Sequence, residues 1–189
     1  MSPRNPHRIR PQLLPLLLLL ALAGLSAAPA GAASDEAAAL AALISHGEPE
    51  AALARADRAI AAEPRNAQLR FQRAVALMDL GRDRDAMQAF TALTEEFPEL
   101  PDPYNNIALL EVRAGHYELA LQALRTALRN DPQHVVARAN LAEVYLLLAE
   151  QALREASVQS PADHGLQRRL EAVRALVATP TAPGATPAR

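Results

Sequence analysis

The chain has 189 residues, half of them apolar but only 3% aromatic, with a net charge of −2. It contains no Cys, which excludes thiol catalysis, disulfides and Cys-ligated zinc. All 19 basic residues are Arg, and leaving out residues 1–33 gives 16 Arg against 21 acids, a balance of −5. That mildly acidic body offers no surface for nucleic acid and no polybasic patch for anionic lipid. Ala and Leu, both good helix formers, supply most of the apolar content, so an all-α protein is expected.

Residues 1–33 have the three parts of a secretory signal peptide. Arg4, Arg8 and Arg10 form a positive start, Leu13 to Leu25 an apolar stretch, and Ser26 to Ala33 a run dominated by small residues. Small side chains one and three residues before the cut are supplied by Ala28/Ala30 and by Ala30/Ala32, which places cleavage between Ala30 and Ala33. An uncleaved anchor is the alternative, because Leu13 to Ala33 is uncharged and long enough to span a bilayer of ~30 Å. Either way the charge bias sends the body across the membrane, with no membrane insertion of the body after cleavage.

The body repeats with a period of 34 residues. Gly47, Gly81 and Gly115 keep that spacing, as do Pro64, Pro98 and Pro132, and Ala52, Ala86 and Ala120. Gly can take the left-handed conformation that ends a helix, Ala lets two helices approach closely, and Pro stops the second helix of each unit. Each unit then reads as helix, turn, helix, turn.

These residues resemble the tetratricopeptide repeat, whose pattern has small residues at positions 8, 20 and 27, Gly at 15, a large residue at 24 and Pro at 32. The second unit, residues 67–100, matches with Ala74, Gly81, Ala86, Phe90, Leu93 and Pro98. The third, 101–134, matches with Tyr104, Ala108, Gly115, Tyr117, Ala120, Leu124, Ala127 and Pro132. The first, counted from Ala33 to Asn66, departs at Leu40 and Ala56. A degenerate fourth unit, 135–159, opens with Asn140, Leu141, Ala142 and Tyr145 but has Ala149 in place of the turn Gly, so its first helix is expected to run on. Ser160 then serves as a predicted N-cap, with Pro161 in the first turn and Asp163 completing a capping box. A terminal helix over 160–178 is expected to close the stack, and the Pro- and Thr-rich residues 179–189 to form a disordered tail.

The resemblance implies a right-handed solenoid of three to four helix-turn-helix units with a C-terminal capping helix. It also implies a concave groove lined by the first helix of each unit, here by Phe71, Val75, Met78, Asn105, Leu109, Val112 and Glu143. Asn105 is expected as an exposed amide able to pair with a ligand backbone, or else solvated, whereas Asn106 and Asn140 occupy a position used for internal hydrogen bonds. No cation stands at the positions where the family's charged grooves clamp a terminal carboxylate. If the terminal helix folds into the groove, Phe71 and Met78 become core.

No phosphate loop, nucleophile elbow or metal-binding His pattern occurs, so neither an enzyme nor a cofactor is expected. The expected function is a periplasmic scaffold or adaptor holding a protein or peptide partner in its groove. The alternatives are a chaperone-like binder of unfolded segments, of the cytochrome c maturation type, and a coordinator of cell division or peptidoglycan synthesis. The sequence leaves the partner, the pathway and the oligomeric state open.

Overall fold

The computed structural model describes residues 30–178. Their regular structure is helical: α1 (Ala30–Ser45), α2 (Pro49–Ala62), α3 (Ala67–Asp79), α4 (Asp83–Glu96), α5 (Pro101–Arg113), α6 (Tyr117–Asn130), α7 (Val135–Gln159) and α8 (His164–Val177). The apolar stretch Leu13 to Leu25 and the tail 179–189 lie outside the described residues. Helix α1 begins at Ala30, so its first turn takes in the expected cleavage window. Among the described residues no helix is long and apolar enough to cross a membrane.

The helices form consecutive hairpins, α1/α2, α3/α4 and α5/α6. Each hairpin turns at a glycine with positive φ: Gly47 at 78°, Gly81 at 70° and Gly115 at 79°. A Cβ at these positions would meet nothing within 4 Å, so the requirement is for the left-handed backbone and not for space. The turn at Gly81 is closed by Arg82 N–H donating to Leu77 O, at 2.9 Å, and Gly81 N–H donating to Met78 O. This is the Schellman pattern that satisfies the last carbonyls of a helix.

Stacking buries the faces that one hairpin leaves open. One core cluster joins Ala74, Leu77, Met78, Ala86, Phe90, Leu93 and Leu110, drawn from α3, α4 and α5. The next joins Ala108, Ala120, Leu121, Leu124 and Ala127 to Ala137 and Val144 of α7. At the N-terminal end Ala37, Leu40, Ala56 and Leu69 form a smaller one. Each Leu or Phe so buried contributes roughly 1.5–3 kcal/mol. The rings of Phe71 and Phe90 meet with centroids 5.7 Å apart at 58°, a tilted contact.

The fourth unit differs from the rest. With Ala149 where the other units have Gly, α7 runs unbroken for 25 residues. The following cap also differs from expectation. Ser160 ends α7, its N–H donating to Ala156 O, and Asp163 is the N-cap of α8, its Oδ1 accepting from Gly165 N and Leu166 N. Pro161 therefore lies in the connecting turn: an Asp carboxylate that reaches two free N–H groups starts the helix three residues later than Ser160 would.

Among the helix pairs in close contact, α8 packs against α7 alone. Leu170 is buried there, and Glu150 of α7 ties the two together by accepting from Arg174 Nε at 3.2 Å and from Arg154 Nη2 at 2.9 Å. The Arg174 and then the Arg154 hydrogen bonds hold the Glu150 carboxyl below its ordinary value of 4.5.

Candidate binding cleft

Helices α5, α7 and the end of α8 enclose a cavity of about 300 Å³. Ala108, Leu109 and Val112 of α5 line one wall, with Leu124 of α6 behind them, and Asn140, Glu143, Val144 and Leu147 of α7 line the other. Val177, the last residue of α8, closes the rim. The cavity is apolar apart from the amide of Asn140 and the carboxylate of Glu143, a composition usual for ligand sites.

Two polar links between α5 and the N-terminal half of α7 fix the width of this cleft. Asn140 Nδ2 donates to Asn105 Oδ1 at 2.8 Å. His134 caps α7: its Nδ1 accepts the Ala137 N–H at 3.1 Å, which leaves Nε2 to donate to Asp102 Oδ1 of α5 at 2.9 Å. The acceptor role of Nδ1 thus selects the Nε2-protonated tautomer.

Of the groove residues expected from the sequence, Leu109, Val112 and Glu143 line the cavity together. The other four are placed elsewhere. Asn105 is only 6% exposed, and its carbonyl oxygen accepts from Asn140 Nδ2, so it is a largely buried link between helices and not an open amide of the groove. The cause is its place between α5 and α7, where a buried amide without a partner would cost about 1–3 kcal/mol. Met78 is 7% exposed and belongs to the core of α3, α4 and α5, and Phe71 and Val75 pack partly buried against the same cluster. These three pack against the cluster that contains Phe90 and Leu110, although α8 makes close contact only with α7. The internal role expected for Asn106 is seen in its Nδ2 bond to Asp102 O at 2.9 Å.

Sequence reasoning missed Leu147 and Val177. Leu147 was legible at the repeat position that carries Asp79 in α3 and Arg113 in α5. Val177 was not, since only the return of α8 along α7 brings it to the cleft. Outside the cleft, Arg113 joins neighbouring units by donating from Nη1 to Met78 O at 3.2 Å and to Asp83 Oδ1 at 2.9 Å. Burial raises the Asp79 carboxyl above its ordinary value, and the charge of Arg113 partly offsets that rise. Among the described residues no group of His, Asp and Glu could hold a metal ion.

Two family descriptions, each of the tetratricopeptide repeat, match residues 43–105 and 105–164, between them more than half of the chain. The chain belongs to the tetratricopeptide-repeat family. Solved structures agree on the fold. YrrB, described as a TPR protein with an unusual peptide-binding site, is 25% identical with a TM-score of 0.51, over 57% of this chain and 55% of that one. This chain thus spans about half of YrrB. A thermophilic TPR protein of Thermus thermophilus, TTC0263, is 19% identical with a TM-score of 0.56, covering 76% of this chain and 99% of its own. The second TPR domain of human RPAP3, solved with the HSP70 peptide SGPTIEEVD, is 22% identical with a TM-score of 0.53, covering 60% and 94%. A search among curated proteins gives no match.

Proposed function

We propose that this chain is an exported, non-enzymatic binding scaffold that holds an extended peptide or one face of a partner helix in the cleft between α5 and α7. The observation that carries this reading is the lining itself: Leu109 and Val112 of α5, Leu147 of α7 and Val177 of α8 line an apolar cavity that contains the polar groups of Asn140 and Glu143. Apolar pockets would take alternate side chains of the ligand, while the amide and carboxylate would pair with its backbone N–H groups. The peptide-binding site of YrrB and the peptide complex of RPAP3 support the mode of binding. The export-like N-terminus, Arg4 to Ala33, supports a periplasmic site of action, where the partner would be a component of an envelope assembly.

The test is a pull-down from the envelope fraction of the source organism with the normal protein and with a Leu109→Arg, Leu147→Glu variant. Partner recovery by the normal chain and its loss with the variant is the expected result. Equal recovery by both would place binding outside the cleft.

A further inference from the structure

In the complete units a second helix covers the small residue of the first. Ala74 of α3 and Ala108 of α5 are 0% and 1% exposed, each in a cluster with the Ala twelve residues later, Ala86 or Ala120. Ala142 occupies the same repeat position on α7 and is exposed. Leu77, three residues after Ala74, is buried, whereas Tyr145, three after Ala142, is 46% exposed with its hydroxyl held by Arg125 Nη2 at 3.3 Å. Helix α8 does not cover them, because it packs on the side of α7 that carries Glu143, Leu147 and Glu150. The face that α4 covers on α3, and α6 on α5, therefore continues onto α7 without a helix over it.

The helix suited to that face is present in the chain. The tetratricopeptide match runs on to residue 164, through the second half of α7. There Ala152-Leu153 and Ala156 repeat the Ala52-Leu53 and Ala56 pattern of α2. In the second and third units the paired small residues are twelve apart, whereas Ala142 and Ala152 are ten apart, with no Gly between them. The hinge is two residues too short, and lacks the left-handed residue, to fold back on itself. A shortened hinge of this kind turns an intramolecular helix pair into one between two copies.

We propose that two copies of this chain pair through α7, the second half of α7 in each covering Ala142 and Tyr145 of the other. The register inside the repeats sets the contacts. Placing Ala152 opposite Ala142 of the second copy also places Ala149 opposite Tyr145 and Ala156 opposite Arg138. It brings the same residues together in reverse, as a two-fold axis requires. Each large side chain thereby meets an Ala, the interdigitation that close helix packing needs. The interface leaves the cleft of each copy open, because the cleft uses other faces of α7.

The experiment uses the full chain, which has no native Cys, carrying Ala142→Cys and Ala152→Cys together. Within one α7 these positions are about 15 Å apart along the helix axis, too far for a disulfide that needs Cα atoms about 6 Å apart. The expected results are twice the monomer mass by light scattering and, under mild oxidation, a covalent dimer formed by the double variant and by neither single one. Ala142→Glu with Ala152→Glu, both exposed in one copy, should give the monomer mass with unchanged helical circular dichroism. A monomer mass for the unaltered protein at every soluble concentration would overturn the proposal. So would a disulfide closed within one chain, which would mean that α7 folds back, or a dimer that the double variant does not cross-link. Failure here leaves the pull-down with the cleft variant unaffected.

Discussion

Ala108 and Ala142 stand at the same position of successive repeats, and one is buried while the other is exposed. Nothing in their immediate sequence separates them. What differs lies seven residues on, where Gly115 turns the chain at φ 79° and Ala149 continues the helix. The middle of the molecule, α3 to α6, is a closed stack in which each face has its counterpart. The end is a long helix, α7, packed on α5 and α6 along one side, and α8, whose close contacts are with α7 alone. A repeat protein is thus controlled as much by its turns as by its core, since the turn decides whether a given core residue finds anything to pack against.

The largest contrast should come from truncating the middle. Phe90 is fully buried between Phe71 and the α3 core, so Phe90→Ala should cost about 3–5 kcal/mol. Leu176→Ala, at a site 58% exposed on α8, should stay within about 0.5 kcal/mol. Chemical denaturation of both variants measures the difference, and equal losses would abolish the distinction between the two regions.

The turns come next. Gly81→Val forces a β-branched residue to φ 70° and should cost about 1–3 kcal/mol, although its side chain has space. The opposite exchange, Ala149→Gly, should cost only about 1 kcal/mol, the ordinary penalty of Gly in a helix. Thermal melting checks the pair. A loss at Ala149 as large as that at Gly81 would mean that α7 is more than a run-on helix.

A polar link at the junction of the two regions gives an intermediate test. Asn140→Ala would leave Asn105 Oδ1 buried without its donor and should cost about 1–3 kcal/mol. The double variant Asn105→Ala, Asn140→Ala should lose less than the sum of the single losses, which a double-mutant cycle reads directly.

The smallest effect concerns the tie between α7 and α8. Arg174 and Arg154 depress the Glu150 carboxyl, so its contribution to stability is present above the ordinary carboxylate value of 4.5 and is lost as pH falls through the lower folded value. Melting curves taken from neutral pH down to about pH 3 should therefore converge for the normal protein and Glu150→Gln. A difference that persists in acid would show that the tie is not ionic.

Much of this was legible in the residues. The three glycines and three prolines at a period of 34 fix where the hairpins turn, because left-handed backbone and helix termination are local properties of those side chains. Ala149 announced a longer helix for the same local reason. The groove was legible only in part. Leu109, Val112 and Glu143 reach the cleft, but Met78 and Asn105 share the face of the first helices and are nonetheless closed off by neighbours far away in sequence. The N-cap was misplaced by three residues because Ser160 and Asp163 both suit the role, and only the backbone geometry of the turn chooses between them.

The sequence by itself determined the helices and their pairing into hairpins at the three glycine turns, since turn conformation and the spacing of small and large residues act within one unit. Tertiary structure alone decided which exposed positions became core, that the amides of Asn105 and Asn140 would satisfy each other, and that α8 would return along α7 to set Val177 at the mouth of the cleft. Those outcomes depend on how much surface each unit finds to bury against the next, a quantity that exists only once the units are stacked.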